Sequence, residues 1–319
     1  MVARSQHSYL VGLVGAAIGP SLSPALHERE ADRHGLRYLY RLLDIGRLGV
    51  PPAGAGRLVR AARDAGYDGL NVTHPCKQHV LDDLDELSPQ AAVLGAVNAI
   101  VFTPDGRAVG HNTDVTGFAA AFAEGLGAPL DRVVQLGAGG AGAAVGHALL
   151  GLGARHLTVV DALPDRARDL AAALNAHAGL DFADSRPQDD LGAALAGADG
   201  LVHATPTGMA AHPGLPLPAG LLHPGLWVAD IVYRPLDTEL LAAARARGCR
   251  VLDGGGMAVH QAADSFRLFT GREPDTPRML ADFADLAGAP AHRPPTPTSD
   301  TRDTGRSASE CAPPSPPSA

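Results

Sequence analysis

Cysteine is scarce: the 319-residue chain has three, Cys76, Cys249 and Cys311. Three scattered thiols make neither a disulfide framework nor a zinc site, both of which need paired spacings. No metal site is expected, and a reducing cytoplasm is the expected setting. No apolar run reaches the roughly 18 residues that a membrane-spanning helix needs. Positive charge is outnumbered, 26 Lys and Arg against 34 Asp and Glu, for a formal net charge of -8. That balance argues against nucleic acid as the main partner, since such proteins present a basic face. Aromatic residues make up only 4 %, while glycines number 38. Many tight turns and small-residue packing follow, as in an α/β protein. The composition, 45 % apolar and 19 % charged, is that of a globular chain and excludes disorder over its whole length. The length fits about two domains.

The stretch from Tyr9 to Ile18 has the apolar character of a signal-peptide core. It contains Gly12 and Gly15 and runs into Gly-Pro-Ser-Leu-Ser-Pro, so it reads as a buried strand, a turn and a helix start. Ser23 is expected to cap that helix, with Pro24 at its first position. From Ala289 onward the chain is Pro, Ser, Thr, Ala and Arg with almost no large apolar side chain. Such a segment buries too little surface to offset its ordering entropy, so 289–319 is expected to be a disordered tail. In between, strand and helix patterns alternate. From Arg132 the order is strand, glycine turn, helix, strand at His156 to Val160, helix from Pro164, helix at Asp190 to Ala196, strands at Gly200 to Ala204 and Trp227 to Val232, then helix and a strand at Arg250 to Leu252. This βαβ repetition implies a parallel sheet covered on both faces. Two helices, from Met257 and Asp275, follow.

The glycine turn is Gly137-Ala138-Gly139-Gly140-Ala141-Gly142, between the strand Val133 to Leu136 and a helix. Glycines there permit a tight turn, close approach of backbone to a pyrophosphate, and close packing of helix on strand. The helix N-terminus then offers free N–H groups to the phosphates. The next strand ends in Asp161, an acid about 20 residues on, placed to hydrogen-bond ribose hydroxyls. A carboxylate at that point repels a 2′-phosphate. Ala162, Leu163 and Pro164 bring no cation, and Arg166 and Arg168 lie inside the following helix. NAD is therefore favoured over NADP.

The first half of the chain holds a second set of polar residues. Asn71-Val72-Thr73-His74-Pro75-Cys76-Lys77 ends a strand. Ser21 and Ser23, Asn98 and Asp114 stand in short motifs of their own. One at a time each has an ordinary explanation: a surface lysine, a cap, a turn. Together they bring hydroxyls, amides, one Lys and one Asp, which suit a polyhydroxylated carboxylic acid.

These motifs resemble the shikimate dehydrogenase family, and within it the NAD-linked quinate/shikimate dehydrogenases of actinobacteria. The matching segments are Ser21-Leu22-Ser23-Pro24, Asn71 to Lys77, Gly95 to Asn98, Asn112-Thr113-Asp114, Gly137 to Gly142, Ala204-Thr205-Pro206-Thr207-Gly208-Met209, Asp230-Ile231-Val232-Tyr233, and Gly256-Met257 with Gln261. They stand in the family's order between about Tyr9 and Leu286; the segment from Ala289 lies outside. The resemblance implies a two-domain α/β fold, a Rossmann dinucleotide-binding domain plus an α/β substrate-binding domain. The substrate domain would be 1–113, completed by helices in 256–288, and the Rossmann domain 114–255. By the same resemblance, Ser21 and Ser23 hold the substrate carboxylate. Thr73, Asn98, Asp114 and Gln261 hold ring hydroxyls, and Lys77 and Asp114 are the catalytic pair. Tyr233 lies near the substrate. Thr205, Pro206, Thr207, Met209, Val232, Gly254 and Met257 join the glycine turn in holding the cofactor. NADP-dependent members carry Asn-Arg-Thr where this chain has Asp161-Ala162-Leu163, which puts NADP in doubt.

The implied activity is reversible oxidation of a ring alcohol in shikimate or quinate to its 3-dehydro ketone. Lys77 either passes the hydroxyl proton or remains cationic and stabilises the developing alkoxide while water or Asp114 carries the proton. Alternatives are an NADP-dependent biosynthetic shikimate dehydrogenase, an enzyme for an amino-substituted analogue, and a ligand-binding regulator without catalysis. The expected partner is a small-molecule substrate, with no nucleic acid and no membrane; a homodimer is left open.

Overall fold

The computed structural model describes residues 8–288. The expected tail and Cys311 lie outside the described residues. Two six-stranded sheets follow one another along the chain. The first is built from β1 (Ser8–Gly15), α1 (Ser23–Arg33), β2 (Arg37–Asp44), α2 (Ala55–Asp64), β3 (Gly69–Val72), β4 (Glu86–Leu87), α3 (Pro89–Leu94), β5 (Ala99–Phe102) and β6 (Ala108–His111). Its strand order is β2-β1-β3-β5-β6-β4. β1 pairs in parallel with β2 and β3, while β5 runs antiparallel to β3 and β6. The antiparallel pair β5–β6 is a hairpin about the turn at Pro104-Asp105-Gly106, where Gly106 takes φ +84°. The sheet is therefore mixed.

α4 (Asp114–Gly125) carries the chain to the second sheet. There follow β7 (Arg132–Leu136), α5 (Gly140–Gly151), β8 (His156–Val160), α6 (Pro164–Ala178), β9 (Ala183–Ser185), α7 (Leu191–Leu195), β10 (Gly200–His203), β11 (Trp227–Asp230), α8 (Glu239–Ala246) and β12 (Arg250–Leu252). The order β12-β11-β10-β7-β8-β9 is parallel throughout. This is the doubly wound dinucleotide-binding arrangement, whose ligands sit at the carboxyl ends of the strands. Side-chain alternation covers both faces. Val133, Val202 and Ala229 pack with α4 and α5 in one core cluster; Val134, Leu201 and Val228 pack with α7 and α8 in another. α9 (Gly255–Thr270) and α10 (Thr276–Gly288) then return to the first half. There Phe269 lies against Gly69 and joins the cluster around Val11 and Tyr40. Among the described residues no helix is long and apolar enough to cross a membrane.

One expected cap is absent. Ser23 is the first residue of α1, and Leu22 precedes it with no side-chain cap. Ser21 takes over part of that work, its hydroxyl accepting the Ser23 N–H at 3.3 Å.

Candidate active site

Asp114 opens α4 and is 5 % exposed. Its Oδ2 accepts from Lys77 Nζ at 2.5 Å, and its Oδ1 from Asn98 Nδ2 at 2.9 Å. Asn98 is itself tied on both sides: Nδ2 also donates to Thr113 Oγ1 at 2.9 Å, and Oδ1 accepts the Thr113 N–H at 2.7 Å. The Asn112 side chain accepts the Asp114 N–H at 3.0 Å and donates to Ala96 O at 3.0 Å. The carboxylate that faces Lys77 is thus fixed by Asn98 and by the turn that carries it. Asn71, at the end of β3, donates to Ser265 Oγ at 2.9 Å and accepts from Tyr40 Oη at 2.9 Å, locking β3 to α9. The His74–Pro75 bond is cis, and Thr73 N–H donates to Val14 O at 2.9 Å.

Lys77 also faces the second half of the chain. A Cβ placed on Gly140, the first residue of α5, would lie 3.7 Å from Lys77 Cδ. The aliphatic stem of Lys77 therefore rests on the start of the helix that follows the glycine turn. Burial, then the Lys77 ammonium and His212, lowers the His74 imidazole below its usual range. Burial pushes the Cys76 thiol up to about 11, so it is inert. Tyr233, beyond β11, faces Ser21, whose hydroxyl donates to Ser23 Oγ at 3.2 Å. The neighbouring Arg234 donates to Pro20 O at 2.9 Å across the two halves. Gln261 on α9 lies beside this group: its carbonyl accepts from Thr113 Oγ1 at 3.0 Å, while its amide is folded back onto Ala258 O at 2.8 Å.

The residues assigned to a dinucleotide gather at the carboxyl ends of β7, β8, β10 and β11. Gly137 has φ +104°, and a Cβ on Gly142 would fall 2.2 Å from Gly137 O. No side chain fits at either place. Gly139 precedes α5 in extended conformation, so Gly140 and Ala141 form its first turn with N–H groups free for an anion. Asp161 is held by two N–H groups, Oδ2 by Ala138 at 2.7 Å and Oδ1 by Leu163 at 2.8 Å. The residues present fit a dinucleotide: the cradle admits backbone only, and a fixed carboxylate stands at the end of β8 beside it. Thr205, Pro206, Thr207 and Met209 follow β10. Val232 lies just past β11, and Gly254 sits against it, where a Cβ would be 2.4 Å from Ile231 O. Met257 is different. Its side chain is 8 % exposed and belongs to the core cluster of Val115, Phe118 and Ala144.

Three buried residues in this region were given no role in the sequence reading. Gln135 Nε2 donates to Gly137 O and Gly142 O, both at 2.8 Å, and so brackets the glycine turn. Its Oε1 has no hydrogen-bond partner among the described residues. A glutamine in a strand where its neighbours are Val and Leu was the available signal. His203 and Asp230 form a buried pair at 2.9 Å. They are 27 residues apart and meet only through the register of β10 on β11, which local sequence does not display.

A doubly wound parallel sheet with a glycine cradle, facing a Lys–Asp pair set among hydroxyls and amides, defines an NAD(P)-linked oxidoreductase. Comparison with known proteins narrows this. Residues 13–100 match the model of the shikimate dehydrogenase substrate-binding domain, and 254–281 that of the shikimate 5′-dehydrogenase C-terminal domain. A shikimate dehydrogenase (NADP(+)) from Streptomyces avermitilis is 72 % identical over 290 residues, 91 % of this chain and 99 % of that protein. A quinate/shikimate dehydrogenase (NAD(+)) from Corynebacterium efficiens is 50 % identical over 280 residues, 88 % of this chain and 99 % of that one. The solved quinate dehydrogenase from Corynebacterium glutamicum in complex with NAD superposes with a TM-score of 0.81 at 47 % identity, covering 87 % of this chain and 99 % of the other. The chain belongs to the shikimate dehydrogenase family.

Proposed function

We propose that this protein catalyses the reversible NAD-linked oxidation of shikimate and quinate at the ring hydroxyl that yields the 3-dehydro product. The observation that carries the reading is the Lys77–Asp114 pair at 2.5 Å, its lysine stem resting on the first residue of α5. That position sets a proton-handling group of the substrate half against the dinucleotide half. Residues 1–113 with 256–288 would form the substrate domain and 114–255 the dinucleotide domain, working in the cytoplasm.

The nicotinamide, when bound, supplies the hydride acceptor. The chain's own residues do the rest. Lys77 has three N–H donors; one goes to Asp114, leaving others for the reacting oxygen. Developing negative charge on that oxygen is stabilised there, and the short contact gives the hydroxyl proton a way to Asp114. Ser21, Ser23 and Tyr233 hold the carboxylate end, and Thr73 and Gln261 the ring hydroxyls. Asn98, saturated by Thr113 and Asp114, serves mainly by aiming Asp114. The glycine turn, Asp161, Thr205 to Met209, Val232 and Gly254 hold the cofactor.

NAD rather than NADP follows from Asp161. Its carboxylate is fixed by Ala138 and Leu163 and stays in place to meet a 2′-phosphate. Of the arginines that follow it, Arg168 pairs with Asp165 and Arg186 with Asp184. NADP-linked turnover of shikimate is the second reading, favoured by the likeness to the Streptomyces shikimate dehydrogenase (NADP(+)). Absorbance at 340 nm across shikimate and quinate, each with NAD and NADP, separates them. NAD is expected to give the higher kcat/KM with both substrates. Faster turnover with NADP overturns the cofactor assignment, and quinate turnover equal to the no-enzyme blank leaves a shikimate-only enzyme.

A further inference from the structure

The loop after β10 is tied to the protein core by a continuous run of polar side chains. It begins at α8, where Thr238 Oγ1 accepts the Leu241 N–H at 3.2 Å. Thr238 Oγ1 donates to Asp230 Oδ2 at 2.7 Å, and Asp230 Oδ1 accepts the Val232 N–H at 3.0 Å. Asp230 Oδ1 also meets His203 Nδ1 at 2.9 Å, and His203 Nε2 meets Thr205 Oγ1 at 2.5 Å. Thr205 Oγ1 finally accepts the Thr207 N–H at 3.3 Å. The side chains of His203 and Asp230 are wholly buried.

A carboxylate beside one ring nitrogen of histidine fixes the proton there and leaves the other nitrogen as the acceptor. The Thr205 hydroxyl then donates inward to Nε2, and its lone pairs face the loop. The loop beyond is closed mainly by its own backbone, Met209 N–H on Pro206 O at 3.1 Å and His212 N–H on Met209 O at 2.8 Å. Gly208 takes φ +95°, Met209 is 42 % exposed, and the turn closes by Gly208 N–H on His212 O at 2.7 Å. Thr205 is thus the anchored end of a thinly packed segment, and His203 is what anchors it.

We propose that His203 is a positioning residue for the nicotinamide half of the dinucleotide. Through Thr205 it fixes the Thr205-Pro206-Thr207 turn, with Asp230 holding its ring. The inference rests on the reading above that this loop lines the nicotinamide. Among the described residues the His203 and Asp230 side chains make no hydrogen bond to the glycine turn or Asp161. The Thr205 methyl lies against Gly137, where a Cβ would fall 3.0 Å from Thr205 Cγ2, and Thr205→Val keeps that methyl, so the effect is expected on the nicotinamide half.

The test compares binding of the whole dinucleotide with binding of ADP-ribose, which lacks the nicotinamide, by calorimetry on the full chain. If the rate matrix favours NADP, the 2′-phosphorylated pair is used. His203→Asn keeps a donor toward Asp230 and is too short to reach Thr205. Thr205→Val leaves the His203–Asp230 pair whole and removes only the hydroxyl. Each is expected to weaken dinucleotide binding by about 5- to 30-fold, the loss of one buried hydrogen bond, with ADP-ribose changed less than about twofold. Thr205→Ser, which restores the hydroxyl, is expected to recover most of the affinity. Equal weakening of both ligands, or no weakening of the dinucleotide in either variant, overturns the proposal; if His203→Asn does not fold, Thr205→Val and Thr205→Ser decide it. A wild-type protein that binds neither ligand removes the dinucleotide reading itself, and this inference with it.

Discussion

Lys77 is the only lysine among the 26 Lys and Arg side chains of the sequence. Every other cationic side chain is an arginine, whose planar guanidinium suits ion pairs and which does not release its proton in proteins. A compact ammonium that can rotate three donors is kept at one place, against Asp114 at 2.5 Å. If Lys77 acts as proposed, mainly on charge that develops at the reacting oxygen, Lys77→Ala is expected to lower kcat by roughly 10²–10⁴ with a smaller change in KM. Steady-state kinetics check this, and a variant with near wild-type kcat removes Lys77 from the mechanism. At Asp161 the expectation concerns selectivity. Asp161→Asn with Ala162→Arg removes the fixed negative charge and adds a cation where the ribose is proposed to lie. The ratio of kcat/KM with NADP to that with NAD is expected to rise at least about tenfold, the equivalent of 1.4 kcal/mol. An unchanged ratio places cofactor choice elsewhere.

α1 shows how an element carries a pH dependence. His27 on its inner face is 1 % exposed, with Nδ1 within 3.1 Å of Tyr38 Oη and rings of Tyr40 and Phe266 at 5.1 and 6.1 Å. Burial lowers its pKa from 6.5 to about 3. The folded state therefore keeps His27 neutral while the unfolded chain takes up a proton below pH 6.5. Stability is full above that pH and falls as the pH drops toward 3. On account of His27 alone, about 2 kcal/mol is expected to be lost between pH 6.5 and pH 5. His147 on α5, lowered to about 4 by burial and by His177, steepens the same limb. Urea unfolding of wild type and His27→Phe at the two pH values checks this: the variant's loss is expected to be smaller by that amount, and equal losses refute it. Elements also differ in how far sequence reveals them. β8 and β12 fall at the predicted residues because apolar runs bounded by glycine or charge leave one register. β9, Ala183–Ser185, has no such run; it is a short edge strand that exists by pairing with β8. α3 follows Ser88-Pro89, with the Ser88 hydroxyl accepting the Ala91 N–H, a start signal too brief to stand out. The polar groups of Asn71 to Lys77 and Asn112 to Asp114 were legible as local motifs. The Gln135 bracket and the His203–Asp230 pair were not, because their meaning depends on which backbone and which strand lie alongside.

Across the whole molecule, the two sheets are joined by α4 going out and α9 coming back, and these helices pack on each other at Gly117. A Cβ on Gly117 would lie 2.9 Å from Gln261 N, 3.0 Å from Gln261 Cβ and 3.0 Å from Met257 O. Two of those three atoms are backbone of α9 and do not turn aside as a flexible side chain would. On the N-terminal side of the contact, Thr113 Oγ1 donates to Gln261 O at 3.0 Å and Thr116 Oγ1 to Asp264 Oδ2 at 2.5 Å. Helix propensity alone favours Gly117→Ala by about 1 kcal/mol. Forcing a methyl into a filled contact costs about 1–3 kcal/mol, and the rigidity of the atoms it meets puts the balance on the side of loss. The melting temperature is expected to fall by about 2–6 °C. A functional effect is expected with it. Asp114 starts α4 and Gln261 stands at the contact on α9, so spreading the helices would move apart two residues proposed to face the substrate, while the glycine turn and Asp161 keep their places. KM for shikimate is expected to rise several-fold with KM for the dinucleotide little changed. A melting temperature at or above wild type shows that the helices can part without cost, and a rise in cofactor KM as large as that for substrate shows that the helix pair does not set the substrate side alone.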